Sequence, residues 1–303
     1  MTCEQGCSRS GAALSRRTFL ASAVAGTALG MLDPMAHAVG FSRQGKAGAI
    51  DVNVSLSRWP MRRVPCDVTP ELVAKLRRQG VTEAWAGSFD GLVHKDLAGV
   101  NARLAEGCRR QGRGLLKAFG SVNPTLPDWE EELRRCAEVH RMPGIRLHPN
   151  YHGYKLDDPA FARLLTRASE RRMILQIAVI MEDERMMHPL LRVPPVDVRP
   201  LTRLVKEIPS LRLVLLNALG VVRGPALAEL LAAGNICVEI SMLEGVAGIE
   251  KLLQQVPLER VLFGSHAPLF YFESALLKLR ESPLSQAQLD AIRFGNARLL
   301  LRA

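Results

Sequence analysis

Beyond residue 46 the chain alternates short, nearly unbroken apolar runs with longer segments in which apolar residues recur at helical spacing. The runs are Ala49–Leu56, Val81–Phe89, Leu115–Val122, Gly144–His148, Met173–Ile180, Leu211–Ala218, Ile236–Met242 and Val261–Gly264. A strand with one wet face alternates apolar and polar residues; a strand covered on both faces reads as a continuous apolar run. The eight runs are therefore expected to be strands of a covered parallel sheet. Helix starts stand between them. Thr69-Pro70-Glu71 supplies a cap residue and a first-turn proline, whose missing N–H costs nothing there. Asp128-Trp129-Glu130-Glu131-Glu132 opens with carboxylates that favour a helix N-terminus, and Asp158-Pro159 and Arg223-Gly224-Pro225 are two further starts.

Eight strand–helix units over residues 47–303 predict an α/β fold, a single-domain (β/α)8 TIM barrel, whose usual size is about 250 residues. An open doubly wound sheet normally has fewer strands and often a glycine-rich dinucleotide turn. Gly220-Val221-Val222-Arg223-Gly224 is only a loop. The last helix, carrying Phe294 and Leu299-Leu300-Leu301, is expected to pack near the first.

Residues 1–38 differ in kind. Ser15-Arg16-Arg17-Thr18-Phe19-Leu20 is a twin-arginine sequence, followed by a weakly apolar run from Ala21 to Leu32 and by Ala36-His37-Ala38, a small-x-small cleavage pattern. The run is shorter than the roughly 20 residues that span a bilayer. The order of basic, apolar and cleavage regions predicts a twin-arginine signal peptide over 1–38 and a periplasmic or extracellular destination, with no membrane span after cleavage.

Composition narrows the class. With 48% hydrophobic residues and 40 Lys+Arg against 30 Asp+Glu, a net charge of +10, the chain is too apolar to be disordered. The basic pairs Arg77-Arg78, Arg109-Arg110, Arg134-Arg135 and Arg171-Arg172 fall in or just after outer helices, where cations suit the helix dipole. Three Trp and three Tyr offer no base-stacking platform, so nucleic acid is not an expected partner. After the leader, Cys66, Cys108, Cys136 and Cys237 remain, with no metal spacing, and are expected to be buried free thiols.

Barrel chemistry sits at the carboxyl ends of the strands. Those ends carry Asp51, Asn53, Ser55, Asp90, His148, Asn150, Gln176, Asn217, Glu239, Ser241 and His266. Polar residues within the last apolar turn of so many strands point to a pocket for a small-molecule ligand or substrate.

Here the chain resembles the amidohydrolase-related (amidohydrolase 2) family of metal-dependent barrel hydrolases and decarboxylases. Ile50-Asp51-Val52-Asn53-Val54-Ser55, Gly144-Ile145-Arg146-Leu147-His148-Pro149, Val214-Leu215-Leu216-Asn217-Ala218 and Val261-Leu262-Phe263-Gly264-Ser265-His266 carry the likeness, with Gly295-Asn296-Ala297-Arg298 closing it. The resemblance implies a metal held by an H-x-H on the first strand, histidines ending the fifth and sixth, and an aspartate after the eighth. Asn53, Ser55, Ala178, Asn217 and His266 stand at those places, so the family's metal ligands are not retained and no metal residue is assigned.

A divalent metal stays open as cofactor, through a relocated set of His148, Glu239 and His266. The alternative is metal-free catalysis, with His148 or His266 as base and Glu239 or Asp90 orienting it. The expected catalytic residues are therefore His148, His266, Glu239 and Asp90, with Asn53, Ser55, Asn150, Asn217 and Gln176 binding substrate. Two functions follow: an exported hydrolase or decarboxylase of an unassigned small molecule, or a non-catalytic barrel that binds a ligand or a protein partner.

Overall fold

The computed structural model describes residues 48–303; the leader at 1–38 lies outside the described residues. Eight strands follow in chain order: β1 Ala49–Leu56, β2 Val81–Ser88, β3 Leu116–Ser121, β4 Gly144–Leu147, β5 Ile174–Ala178, β6 Arg212–Leu216, β7 Ile236–Glu239 and β8 Val261–Leu262. Each is bonded to the next, so spatial order is chain order, and all seven pairings are parallel. The ring closes where β8 meets β1: Val52 N donates to Phe263 O at 3.0 Å, and Ser55 N to Ala267 O at 2.9 Å. This is the (β/α)8 barrel that the apolar runs predict.

The outer helices are α1 Thr69–Arg78, α2 Leu97–Gly112, α3 Trp129–Arg134, α4 Pro159–Glu170, α5 Leu201–Glu207, α6 Gly224–Ala232, α7 Gly248–Leu253 and α8 Phe272–Glu281. In α4 the buried residues are Phe161, Leu164, Leu165 and Ala168, one stripe at the 3.6-residue period, with Pro159 in the first turn. Among the described residues no helix is long and apolar enough to cross a membrane. The four described cysteines are free; Cys66 is half-buried and the others are buried.

Several strands stop short of the apolar runs. Most of the residues beyond them remain buried, but their backbone turns away from the ladder. Asn217 N donates to Glu239 Oε1 at 2.6 Å and Ser241 N to Glu239 Oε2 at 2.6 Å, where a strand would have bonded a neighbour's carbonyl.

The barrel interior is filled from below by Ile50, Val52, Trp85, Phe119, Ile174, Val214, Leu216, Cys237 and Leu262. The closing helix Asn296–Arg302 brings Ala297 and Leu300 against this layer, with Phe294 and Leu301 packed beside them. An i, i+3, i+4 face of this helix fills the barrel's open end, while Leu299, 63% exposed, points to water. At the other end, Trp59, Phe89, Leu92, Ala178, Met181 and Leu269 form a separate buried cluster. It is drawn mainly from loops after β1, β2, β5 and β8, and makes an apolar roof. Trp59 meets Phe89 edge-on at 5.1 Å, and Arg62 pairs with Glu182 to tie the first of these loops to the β5 loop.

Candidate functional site

Between floor and roof the interior turns polar. The largest group there is Arg146, the third residue of β4, only 2% exposed. Its guanidinium donates to Val54 O at 2.8 Å, Gln176 Oε1 at 2.9 Å, Ser55 Oγ at 3.1 Å and Trp85 O at 3.1 Å. Gln176 in turn donates to Val52 O at 2.8 Å. One side chain therefore stitches β1, β2, β4 and β5 together across the axis. Gly87 makes room for it, since a Cβ there would lie 2.8 Å from Arg146 Nη1. Burial lowers the Arg146 pKa to about 10 against the pull of Asp51 and Glu239, so the group stays charged at neutral pH.

Opposite Arg146, Glu239 ends β7 with its carboxylate fully buried. Asn53 Nδ2 donates to Glu239 Oε1 at 3.1 Å and to Asn217 Oδ1 at 2.7 Å. Ser241 Oγ also lies within bonding distance of both, at 2.7 Å from Glu239 Oε1 and 2.9 Å from Asn217 Oδ1. Asp51 forms a second knot at the seam: its carboxylate accepts Ser265 N at 3.0 Å, Ser265 Oγ at 2.5 Å and Asn53 N at 3.0 Å. Burial pushes this acid up to about 7, although those hydrogen bonds pull the other way.

The histidines lie near the strand ends. His266 Nε2 contacts Met181 O at 2.9 Å. A carbonyl only accepts, so Nε2 carries the proton and the buried Nδ1 is a bare lone pair without a partner. His152 is fixed in the same way by Gly91 O at 2.7 Å. His148 Nδ1 is likewise buried without a partner. Burial is the first cause that lowers all three, with His266 brought down to about 4, so each is neutral at pH 7. His266 (φ 59) and Asn217 (φ 58) both sit in the left-handed region, a conformation that tends to persist where surrounding structure imposes it.

Open space lies to one side of the axis. A cleft of about 900 Å³ runs over the ends of β5 to β8, bounded by Ile180, Pro194, Val221, Leu243 and Phe270, with Ser241 and Lys278 among its polar residues. Ser241 thus belongs both to the buried network and to the cleft. The β5-loop charges that line the cleft pair among themselves, Arg185 with Asp183 and Arg192 with Glu184.

Of the sequence-predicted residues, Asn53, Asn217 and Glu239 are brought together, and Ser55 and Gln176 join Arg146. Asp90 stands apart, accepting from Ser57 Oγ at 3.2 Å and lying 4.0 Å from Arg103. Asn150 donates to Pro194 O, pinning the β5 loop. One expectation is corrected: neither Glu239 nor Asp90 is bonded to a histidine, and backbone carbonyls orient His266 and His152. Glu239 is instead bonded to Asn53, Asn217 and Ser241, and among the described residues no three His, Cys, Asp or Glu side chains are grouped to hold a metal. Arg146 and Lys278 were not singled out by sequence; the glycine inside apolar β2 was the available signal for the first, since it marks a close approach.

A sequence model of the family described as amidohydrolase matches residues 57–303. The chain belongs to the amidohydrolase family. No curated protein matches it by sequence. Its fold is shared with 2,6-dihydroxybenzoate decarboxylase from Rhizobium, at 15% identity and a TM-score of 0.66, covering 84% of this chain and 98% of that one. It is shared also with 5-carboxyvanillate decarboxylase from Sphingomonas paucimobilis, at 15% identity and a TM-score of 0.67, covering 84% and 99%. A dihydroxybenzoic acid decarboxylase from Polaromonas, solved with manganese and the inhibitor 2-nitroresorcinol, matches at 14% identity and a TM-score of 0.67, covering 84% and 97%.

Proposed function

We propose that this amidohydrolase-family chain is a hydrolase or decarboxylase of a small molecule with an apolar body, bound in the cleft over β5 to β8. We propose further that it works without the divalent metal bound by the Polaromonas relative. Arg146 carries that second reading. Its fixed positive charge donates to Ser55 at one expected ligand position, while Asn53 at another spends its N–H groups on Asn217 and Glu239. Ala178 offers no donor atom. A dication needs several lone pairs and negative charge around it. Of the five expected ligand positions only His266 offers an unpartnered lone pair, its Nδ1, and Arg146 sets a positive charge against Ser55, so in this reading the five positions do not make a metal site.

What the chain offers in its place is proton chemistry. His148 and His266 are neutral bases with unpartnered Nδ1 atoms, and Glu239 holds the Ser241 hydroxyl at the cleft. Hydroxylated benzoates are the first substrates to test, because three relatives decarboxylate aromatic acids of that kind. The expected result is turnover that survives chelation and is lost in His148→Ala and His266→Ala, with the melting temperature near that of the wild type. Activity abolished by chelator and restored by manganese would overturn the metal-free reading.

A second reading, a barrel that binds without turnover, is favoured by the apolar roof, beneath which His148 and His266 are only 2% and 1% exposed. Saturable binding with no product from any hydroxybenzoate would select it.

A further inference from the structure

Lys278 projects from α8 into the wall of the cleft. Its amine donates to Ser241 O at 2.5 Å and lies 3.4 Å from Ser274 Oγ. Among the described residues it forms no ion pair. Two contacts and Cε account for three of the nitrogen's four tetrahedral positions. The fourth is a third N–H in the ammonium form and a lone pair in the free amine. Three carboxylates bear on it, Glu239 at the end of β7, Glu244 in the following loop and Glu281 on its own helix, and all favour the charged form. Burial outweighs them and lowers the amine's pKa from its ordinary value. The cleft cations Arg185 and Arg192 are already matched by Asp183 and Glu184. Most of the remaining lining is apolar, including Ile180, Met187, Val193, Val221 and Phe270. A largely buried amine with no carboxylate in ion-pair contact among the described residues, its neighbour Glu244 being paired with Arg223, in a mostly apolar cleft of ligand size, is the setting in which lysine acts as a nucleophile.

We propose that Lys278 captures an apolar aldehyde or ketone in this cleft as an imine. The inference rests on the cleft being the substrate site. The amine lone pair adds to the carbonyl carbon while one N–H proton passes to the carbonyl oxygen, giving a carbinolamine. The second N–H proton and the hydroxyl then leave as water, and the nitrogen lone pair closes the C=N bond. Ser274 Oγ is placed to relay the proton. No oxidant, reductant or metal enters the balance.

The test treats the full-length protein with benzaldehyde and sodium cyanoborohydride at neutral pH, and maps benzylated lysines by peptide mass spectrometry. Lys278 should label at least about tenfold faster than exposed Lys206 and Lys251. Lys278→Arg should abolish only the fast site; mapping within the wild type keeps the test decisive if that variant folds poorly. Reversible benzaldehyde binding at Met187 and Phe270, seen by NMR, with Lys278 no faster than the surface lysines, overturns imine capture while the cleft reading stands. Neither binding nor fast labelling overturns both.

Discussion

Replacing Arg146 by methionine tests the interior most directly. The substitution keeps an unbranched side chain of similar reach but removes the charge and every donor. Val54 O, Trp85 O, Gln176 Oε1 and Ser55 Oγ then each lose a bond of 2.8 to 3.1 Å. Buried Asp51 and Glu239 lose the cation that offsets them. Hydrogen bonds to a charged group are worth about 1.5–3 kcal/mol each, but four bonds from one group are not additive. Removing one partner from a buried charged network costs about 3–5 kcal/mol, and that is the expected loss here. In a domain of this size about 2–4 °C accompanies each kcal/mol, so the melting temperature should fall by roughly 6–20 °C. Guanidinium denaturation should show a lower midpoint at an unchanged slope. Arg146→Lys keeps the charge without the planar fork and should fall in between. Adding Glu239→Gln to the methionine variant should cost less than the sum of the two single losses, because the stranded carboxylate is gone. A methionine variant within about 1 kcal/mol of wild type would refute the idea that this guanidinium holds the interior together.

The remaining expectations concern export, pH and metal. Changing Arg16 and Arg17 together to lysine should trap the precursor in the cytoplasm, as read by fractionation and N-terminal sequencing for cleavage after Ala38; a processed, exported double variant would sink the leader reading. Because the folded pKa of Asp51 is about 7 against an ordinary 3.8, the folded state holds a proton that the unfolded chain releases between those values. Its contribution is therefore full below about pH 4 and lost as pH rises through 7, so Asp51→Asn should gain stability relative to wild type over that window. The depressed histidines slope the opposite way in both proteins and cancel in the difference; a difference flat with pH would count against a protonated Asp51. Asn53→His should bring no tight zinc binding by isothermal titration, since Ser55, Ala178 and Asn217 remain unchanged beside Arg146, and tight one-site binding by the wild type would contradict the metal-free proposal.

The barrel was legible because strands covered on both faces leave long apolar runs, as in Leu211–Ala218. The same runs overshot the strand ends. Buried residues beyond them such as Ile240 and Ala218 look like strand in sequence, and only Glu239's capture of two backbone N–H groups shows where the ladder stops. Asn53, Asn217 and Glu239 stood out as polar residues closing apolar strands. Arg146 did not, because one arginine in a four-residue strand reads as a rim position. Its partners come from β1, β2 and β5, up to 94 positions away, a distance that no local pattern spans. Lys278 was hidden for a different reason: a lysine four positions after a serine on an amphipathic helix looks like any solvated face.

The seam between β1 and β8 also sets a clock. Asp51 and its clasp partner Ser265 are 214 positions apart, and the final strand is only two residues long. At about 5–20 residues per second, roughly 10–45 s of synthesis separates the two halves of the clasp. Until Ser265 emerges, β1 and the latest strand to dock are both sheet edges, with backbone groups free to pair with another chain. The finished ring has no such edges. The hazard of misassembly for this protein is therefore concentrated in its unfinished life, and it ends when one serine reaches one aspartate.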